Sequence, residues 1–422
     1  MSIEFFIARR MQLTTASGRG SSTGVVIAVA GIALALVVML VSVSVVLGFK
    51  RQIREKVMGF DAQLTVVAQK TYGNDSVDGD GTVVKLTPQL RSLIQSALPE
   101  DAKLSLVSRR PGILKTDSAF AGIVVKGLAS DDDSPFMRSN IVAGVMPDYA
   151  VDSTMYHVVI SATAASRLGL VSGDRVNAYF FNGDVPRARR LTVAGIYDTH
   201  FGEYDALYAF GSLEMLQRLN GEDADCGSAI EISGLPDDDT IDRVGRELAD
   251  ALLQGLYSDS IDTLYTVENV HDTAALYFNW LALLDTNVVV ILILMALVSG
   301  FTLVSSLFII ILERVGMIGI LKAIGAGNRM IERTFIIVAE RLVARGLIIG
   351  NIVGLGVVFI QRAWHLLPLD PEAYYLDYVP VEINWWWVAG LNVAVVVIAA
   401  LVLILPSRII ATLSPASSMR YE

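Results

Sequence analysis

The sequence is poor in the residues from which most enzyme sites are built. It has one cysteine, Cys226, so an internal disulfide is excluded, and its four histidines stand far apart in the chain. That scatter lacks the ligand spacing of a zinc site. No Walker A sequence, nucleophile-elbow sequence or zinc-protease motif is present. We therefore expect no catalytic residues and no metal site, and we interpret the lone thiol as a small buried apolar side chain.

Two segments resemble binding loops only in part. "DSVDGDG", within residues 72–82, spaces oxygen ligands like a calcium loop, but its closing position is Thr87 rather than a glutamate. "SGRGSSTG" (17–24) lacks the lysine of a phosphate loop and does not follow a strand. We interpret the first as a flexible hairpin tip and the second as a polar lead into an apolar segment.

Charge is also scarce, because only 18% of the 422 residues are charged and 53% are hydrophobic. The mean hydropathy is +0.53, too high for an ordinary soluble protein. A helix that crosses the hydrocarbon core of a membrane, about 30 Å thick, needs about 20 apolar residues. Four stretches meet this requirement, and we predict a transmembrane helix in each: residues 25–49, 281–312, 334–360 and 385–405.

Basic residues set the predicted orientation. They cluster in the N-terminal segment 1–24, in the loop 313–333 and in the tail 406–422, and the positive-inside rule places these three segments in the cytoplasm. The basic residues of these segments are Arg9, Arg10, Arg19, Arg314, Lys322, Arg329, Arg333, Arg408 and Arg420. Residues 50–280 and the short loop 361–384 then lie outside.

The external segment 50–280 is acidic and long enough to form a core. It holds 21 Lys and Arg against 33 Asp and Glu, a formal charge of −12, which argues against nucleic acid as a partner. "YHVVISA" and "RRLTVAGIYD" have the composition of strands, whereas "SLEMLQRLNG" and "DTIDRVGRELADALLQGL" have the periodicity of helices. The sequence predicts an α+β domain inserted between spans 1 and 2.

The loop after the second span contains an amphipathic segment. Val315, Ile318, Leu321 and Ile324 recur at helical spacing, Met317 and Ile320 widen the stripe, and Gly325 and Gly327 end the helix. Two interpretations stay open: a helix that rests on the lipid surface, or a helix that docks into a groove on a cytoplasmic partner. If it docks, we expect Leu321→Asp to abolish partner binding without unfolding the spans.

Charged and aromatic residues also lie within the predicted spans. Glu340, Arg341 and Arg345 fall in the first half of the third span, where they either pair and snorkel to the headgroups or take part in transport or coupling. Trp385, Trp386 and Trp387 open the fourth span, which is the expected place of an aromatic belt at the outer membrane surface.

Several of these segments resemble one known family. "ERVGMIGILKAIGA" (313–326) resembles the coupling-helix motif of FtsX/MacB-type (type VII) ABC transporter permeases. The tail "LPSRIIATLSPASSMRYE" (405–422) and "FIARRM" (6–11) are similar to the family's C-terminal pattern and N-terminal elbow. "VVLGFKRQIREKVMGFDAQLTV" (45–66) resembles the segment that leaves span 1 in the lipoprotein-releasing (Lol) branch. Met317 and Val315 depart from the motif, since the family usually has a charged residue at the first and a less apolar one at the second.

The resemblance implies a function and a set of partners. It implies a permease subunit of the bacterial inner membrane that extracts lipoproteins and passes them to a periplasmic carrier, with a second permease subunit beside it. ATP and Mg²⁺ would be bound by a cytoplasmic ABC ATPase dimer and no cofactor by this chain. A MacB-like efflux component and an FtsX-like regulator of a cell-wall hydrolase remain as alternatives. The implied ATPase-coupling residues are Arg314, Val315, Met317, Ile318, Ile320, Leu321, Lys322, Ile324 and Gly325.

Overall fold

A computed structural model describes residues 23–69, 83–130, 132, 134–182 and 185–402. Its helices are α1 (Thr23–Phe60), α2 (Pro88–Ala97), α3 (Pro135–Ser139), α4 (Ala162–Leu168), α5 (Gly202–Leu207), α6 (Leu213–Asn220), α7 (Asp238–Tyr257), α8 (Val270–Thr273), α9 (Ala275–Glu313), α10 (Val315–Ala323), α11 (Asn328–Trp364), α12 (Pro371–Tyr374) and α13 (Trp385–Val402). The predicted hairpin tip lies outside the described residues, as do the N-terminal elbow and the tail 406–422.

The strands run through the region between α1 and α9. They are β1 (Leu64–Ala68), β2 (Val84–Lys85), β3 (Lys103–Lys115), β4 (Phe120–Leu128), β5 (Ile141–Gly144), β6 (His157–Ser161), β7 (Arg175–Asn182), β8 (Val185–Tyr197), β9 (Tyr208–Ser212), β10 (Cys226–Gly227), β11 (Ala229–Ser233) and β12 (Tyr265–Asn269). The described part of the chain divides into two compact units. We call them the membrane unit, within residues 1–51, 280–368 and 378–422, and the external unit, within 52–279 and 369–377.

Four helices of the described residues are long and apolar enough to cross a membrane: α1, α9, α11 and α13. They coincide with the four apolar stretches predicted from the sequence, but three of them extend further. α1 continues beyond the apolar run to Phe60, α9 already begins at Ala275, and α11 begins at Asn328 rather than at residue 334. An isolated helix is stable in lipid because it satisfies its own backbone hydrogen bonds, and the same bonding continues into the polar flanks.

The core of the membrane unit joins side chains from all four of these helices. Leu36 and Leu40 of α1, Leu307 of α9, Ala339 of α11 and Val395 of α13 belong to one buried cluster. An amide pair adds a polar contact, since Asn351 Nδ2 donates to Asn392 Oδ1 at 2.7 Å and Asn392 Nδ2 donates to Asn351 Oδ1 at 3.1 Å. Side-chain hydrogen bonds of this kind hold helices together where lipid offers no alternative partner.

Three glycines four residues apart allow α11 to lie close to α1. A Cβ added at Gly346 would lie 2.8 Å from Ile32 Cβ, and one added at Gly350 or Gly354 would lie 3.0 Å from a methyl carbon of Leu36 or Leu40. Small residues at this spacing let two helix backbones approach closely, which increases van der Waals contact. The glycine positions therefore fix the distance between α1 and α11.

We expect Gly346→Leu to destabilise the membrane unit by about 1–3 kcal/mol, the usual effect of overpacking a well-packed core. Gly356→Leu is the matched control, because it lies on the same helix and a Cβ there meets no atom within 4 Å. Thermal unfolding of the full chain in detergent micelles measures both. Equal melting temperatures for the two variants would contradict the packing account.

The external unit is built on a mixed sheet. The strand order is β12-β1-β11-β3-β4-β9-β6-β8-β5, with β7 paired to β3 and β8. Helix α7 buries Ile241, Val244, Leu248 and Leu252, which is the face predicted from the sequence, and Gly221 ends α6 with a φ of 73° as predicted. Together with the helices that pack on the sheet, these features confirm the α+β class.

A cluster of buried charges holds the end of α1 in the external unit. Lys126 Nζ donates to the carbonyl oxygen of Phe60 at 2.7 Å and lies 2.8 Å from Glu231 Oε2. Arg109 Nη2 lies 2.6 Å from Glu231 Oε1 and 3.2 Å from Asp61 Oδ1. Since two cations face two carboxylates and all four are largely buried, the charges compensate one another where water cannot.

Glu231→Gln should destabilise the external unit at neutral pH by about 3–5 kcal/mol, because Asp61 is then the one carboxylate of the cluster that faces the two buried cations, Lys126 and Arg109. Burial would raise the pKa of Glu231, but the two cations hold it below its ordinary value. This stabilisation is therefore complete above the unfolded-state pKa of about 4.3 and is lost as the pH falls through the lower folded-state pKa.

Thermal unfolding of wild type and variant across the pH range tests this expectation. The difference in melting temperature should be full at about pH 7 and shrink below about pH 4. Glu268→Gln on the same sheet is the control, because Glu268 is exposed. A Glu231→Gln protein as stable as wild type at neutral pH would refute the role of the cluster.

Candidate functional site

The amphipathic segment forms helix α10 between two of the long apolar helices. α9 ends at Glu313 and α10 begins at Val315, so a single residue separates them. Gly325 has a φ of +98°, its N–H donates to the carbonyl of Lys322 at 3.0 Å, and the N–H of Ala326 donates to the carbonyl of Leu321 at 2.9 Å. This pair of bonds is a Schellman motif, which satisfies the last carbonyls of the helix and requires a residue such as glycine at the left-handed position.

One side of α10 packs against its own chain. Ile318 is 1% exposed and belongs to a buried cluster with Ala28 of α1, Ile310 of α9 and Phe335 of α11. Met317 and Leu321 line a small cavity with residues Met330, Ile331, Thr334 and Phe335 of α11. These contacts anchor the helix to the membrane unit.

The opposite side of α10 is apolar as well and is exposed. Ile320 is 61% exposed, Ile324 is 79% exposed, and Gly316 and Ala323 lie exposed beside them. Their spacing of four, three and one residues puts them on one face of the helix. We call this face, Gly316–Ile320–Ala323–Ile324, the exposed stripe.

The exposed stripe corrects the stripe expected from the sequence. The sequence grouped Val315, Ile318, Leu321 and Ile324 on one face, but the structure turns Ile318 and Leu321 toward α11 and leaves Ile324 outside. Leu321→Asp is therefore a poor test of docking, because the charge would enter the packing of the membrane unit itself. Both faces are apolar, and periodicity alone does not distinguish the face that the chain covers.

The charges of α11 lie on different sides of the helix. Glu340 and Arg345 are exposed and Arg341 is half-buried. Arg345 and Ile349 of α11 line a groove of about 380 Å³ together with apolar residues 25, 26, 29, 30 and 33 of α1. The choice between snorkelling or pairing and a role in coupling stays a prediction.

The three tryptophans form the first turn of α13. They are 62%, 87% and 47% exposed in the order Trp385, Trp386 and Trp387. Asn384 Oδ1 accepts a hydrogen bond from the N–H of Trp386 at 3.0 Å and caps the helix. Exposed indole rings at one helix end fit an aromatic belt, which remains an expectation.

One group of side chains in the described residues has the ligand types of a metal site, and the sequence did not single it out. The ligand atoms of Asp223, Asp225 and Cys226 lie within 4.8 Å of one another. Lys85 Nζ already lies 3.5 Å from Asp223 Oδ2 and 3.6 Å from Asp225 Oδ2. Burial raises the pKa of the Cys226 thiol, which disfavours the thiolate that a metal requires. We assign no metal to this group.

The comparisons with known proteins match both parts of the chain. The family described as MacB-like periplasmic core domain matches residues 25–251, and the family described as FtsX-like permease C-terminal matches residues 289–415. The chain belongs to the FtsX/MacB-type permeases. These are permease subunits of ABC transporters, so the family itself implies a partner ATPase and a bacterial inner-membrane protein with a periplasmic region.

Individual relatives cover nearly the whole chain. The lipoprotein-releasing system transmembrane protein LolC of Xylella fastidiosa (strain 9a5c) is 24% identical over 417 residues, which is 93% of each chain. LolC of Neisseria meningitidis serogroup B (strain ATCC BAA-335 / MC58) is 23% identical over 416 residues, 94% of each. The crystal structure of the periplasmic region of MacB from Actinobacillus actinomycetemcomitans matches 54% of this chain and 97% of that one at 14% identity, with a TM-score of only 0.32.

If the exposed stripe is the ATPase contact, Ile324→Asp should weaken ATPase association at least about tenfold, since a buried charge in an apolar contact costs more than 1.4 kcal/mol. Co-purification of the ATPase with the full chain in detergent measures this effect. Ile324→Leu is the matched control and should bind normally. Binding by Ile324→Asp at wild-type strength would show that the stripe faces lipid or solvent instead.

Proposed function

We propose that this chain is a permease subunit that uses a partner ATPase to release lipoproteins from the inner membrane and pass them to a periplasmic carrier. The observation that carries the proposal is the full-length similarity to LolC proteins, which spans the external unit and the four apolar helices together.

The arrangement of the chain supports this proposal in physical terms. Under the proposal, residues 50–280 form a periplasmic domain between spans 1 and 2, and α10 lies in the cytoplasm. Withdrawing acyl chains from a bilayer costs about 0.8 kcal/mol per CH₂ group, so release needs an energy source. An ATPase dimer that binds ATP and Mg²⁺ and docks on the exposed stripe supplies that energy without a nucleotide site in this chain.

The other partners follow from the same proposal. A second permease subunit, either another copy or a homologous chain, stands beside this one in the membrane. The external unit receives the soluble carrier, and the Trp385–Trp387 turn and the α11 charges meet membrane lipids. The formal charge of −12 on the external segment argues against nucleic acid as a partner.

Reconstitution tests the proposal directly. The full chain and its co-purifying ATPase are placed in liposomes with a triacylated lipoprotein and an excess of soluble periplasmic extract. We expect the lipoprotein to move into the soluble fraction only with ATP, and we expect Ile324→Asp, but not Ile324→Leu, to abolish the transfer. Hydrolysis of ATP without transfer would exclude lipoprotein release and favour efflux or hydrolase regulation.

A further inference from the structure

Three separate segments of the external unit converge on residues 198–208, which we call the hub. They are the end of α1, the beginning of α9, and residues 369–377, which we call the clasp and which lie in the chain between α11 and α13. The chain passes between the two units next to these segments, at residues 51/52, 279/280, 368/369 and 377/378. The hub therefore contacts every segment through which the described chain enters or leaves the external unit.

A single lysine ties α1 to both the hub and the clasp. Lys56 Nζ donates to the carbonyl oxygen of Thr199 in the hub at 2.5 Å and to the carbonyl oxygen of Tyr375 in the clasp at 2.6 Å. Hydrogen bonds from a cation are about twice as strong as neutral ones. Lys56 is half-buried, so these two carbonyls replace much of the water that an ammonium group normally binds.

The backbone is strained next to both of these acceptors. His200, which follows Thr199, has a φ of 54°, and Tyr375 itself has a φ of 60°. Residues that carry a Cβ rarely adopt this left-handed backbone conformation, which persists only where the surrounding structure determines it. The bonds from Lys56 and the contact of His200 Nε2 with Asp377 Oδ1 at 3.4 Å supply such surroundings.

The hub is folded around one buried carboxylate. Asp205 is 3% exposed, and its oxygens accept hydrogen bonds from Thr199 Oγ1 at 2.6 Å, from the N–H of Thr199 at 3.2 Å and from the N–H of Phe201 at 3.2 Å. These bonds fix the carbonyl of Thr199 in the position where Lys56 reaches it. The hub therefore presents the Thr199 carbonyl to Lys56 in a defined position.

Aromatic rings connect the three segments through Phe201, which is fully buried. The Phe201 ring centroid lies 4.8 Å from that of Tyr277 in α9 and 5.1 Å from that of Tyr375 in the clasp. Tyr277 OH also donates to Glu203 Oε2 in the hub at 2.7 Å. Ring contacts of this type add stability beyond the area that they bury.

We propose that Lys56 and the clasp are positioning elements that hold the ends of α1 and α9 in a fixed relation to the hub, so that movement of either helix is delivered to the external unit. This inference rests on the proposed function, because it assigns these residues to the coupling of ATP hydrolysis to release. A contact that involves α1, α9 and the α11–α13 connection at once makes the external unit respond to these helices together.

The test compares Lys56→Met with Lys56→Arg and with Lys115→Met in the reconstituted full complex. Lys56→Met keeps the length of the side chain but removes both hydrogen bonds, Lys56→Arg keeps a donor, and Lys115 is an exposed lysine of the same unit. The measured quantity is the number of lipoproteins released per ATP hydrolysed. We expect Lys56→Met to lower it about tenfold, with hydrolysis retained, and Lys56→Arg to restore most of it.

Hydrogen exchange of the same variants gives an independent readout. Lys56→Met should raise the exchange of amides 199–205 and 371–377 together, whereas Lys115→Met should not. An unchanged release per ATP in Lys56→Met would overturn the proposal, as would a parallel fall of hydrolysis and release that Lys56→Arg does not rescue.

The failure of lipoprotein release in general is distinguishable from the failure of this inference. If the wild-type complex releases nothing, the proposed function is wrong and exchange alone decides the role of the clasp. Trapping the complex with ATP and vanadate should then alter exchange in the hub and the clasp of wild type but not of Lys56→Met. If amide exchange of the hub and the clasp in wild type is the same with and without trapping, the proposed role of Lys56 and the clasp is overturned.

Discussion

The need of every backbone N–H and C=O for a hydrogen-bond partner in lipid shapes the whole molecule. Only a helix meets that need within one segment, so the chain crosses the hydrocarbon as long, unbroken helices. Two of these helices, α1 and α9, do not stop where the apolar residues stop, and both continue into the external unit as 38- and 39-residue elements. A continuous helix is stiff along its axis, so the constraint that lipid imposes also provides a means of transmitting movement.

The end of α1 shows how such a helix is fastened without relying on apolar contact alone. The carbonyl of Phe60, one of the unpaired carbonyls at the helix end, accepts a bond from the buried Lys126. Lys126 needs Glu231 as a counter-charge, and Glu231 in turn holds Arg109, which reaches Asp61. Each buried charge requires the next, and a helix end shifted by a residue would leave one of them uncompensated.

The sequence predicted the parts of this fold that depend on local composition. The apolar stretches, the buried face of α7 and the glycine that ends α6 follow from periodicity and turn chemistry, and the structure confirms them. The buried charges and the hub were not predictable in this way. Lys56, Thr199 and Tyr375 are far apart in the chain, and an exposed charge on a polar helix end has the same local sequence as a buried one.

The sequence pattern does not identify the exposed face of α10 for a different reason. A short helix that is apolar on both sides has no amphipathic signal that reveals which side the chain covers. The position of α10 directly after α9 offers a functional reason for its two apolar faces. α9 runs from the aromatic contacts of Tyr277 to Glu313, two residues before Val315. Its 39 residues correspond to about 58 Å of helix at 1.5 Å per residue. If α10 couples to an ATPase as proposed, its inner face must be packed tightly enough to transfer a displacement to α9, and its outer face must be apolar enough to bind the partner. Both requirements select apolar residues, so a helix that transmits force between a partner and a span is expected to lose the pattern by which amphipathic helices are recognised.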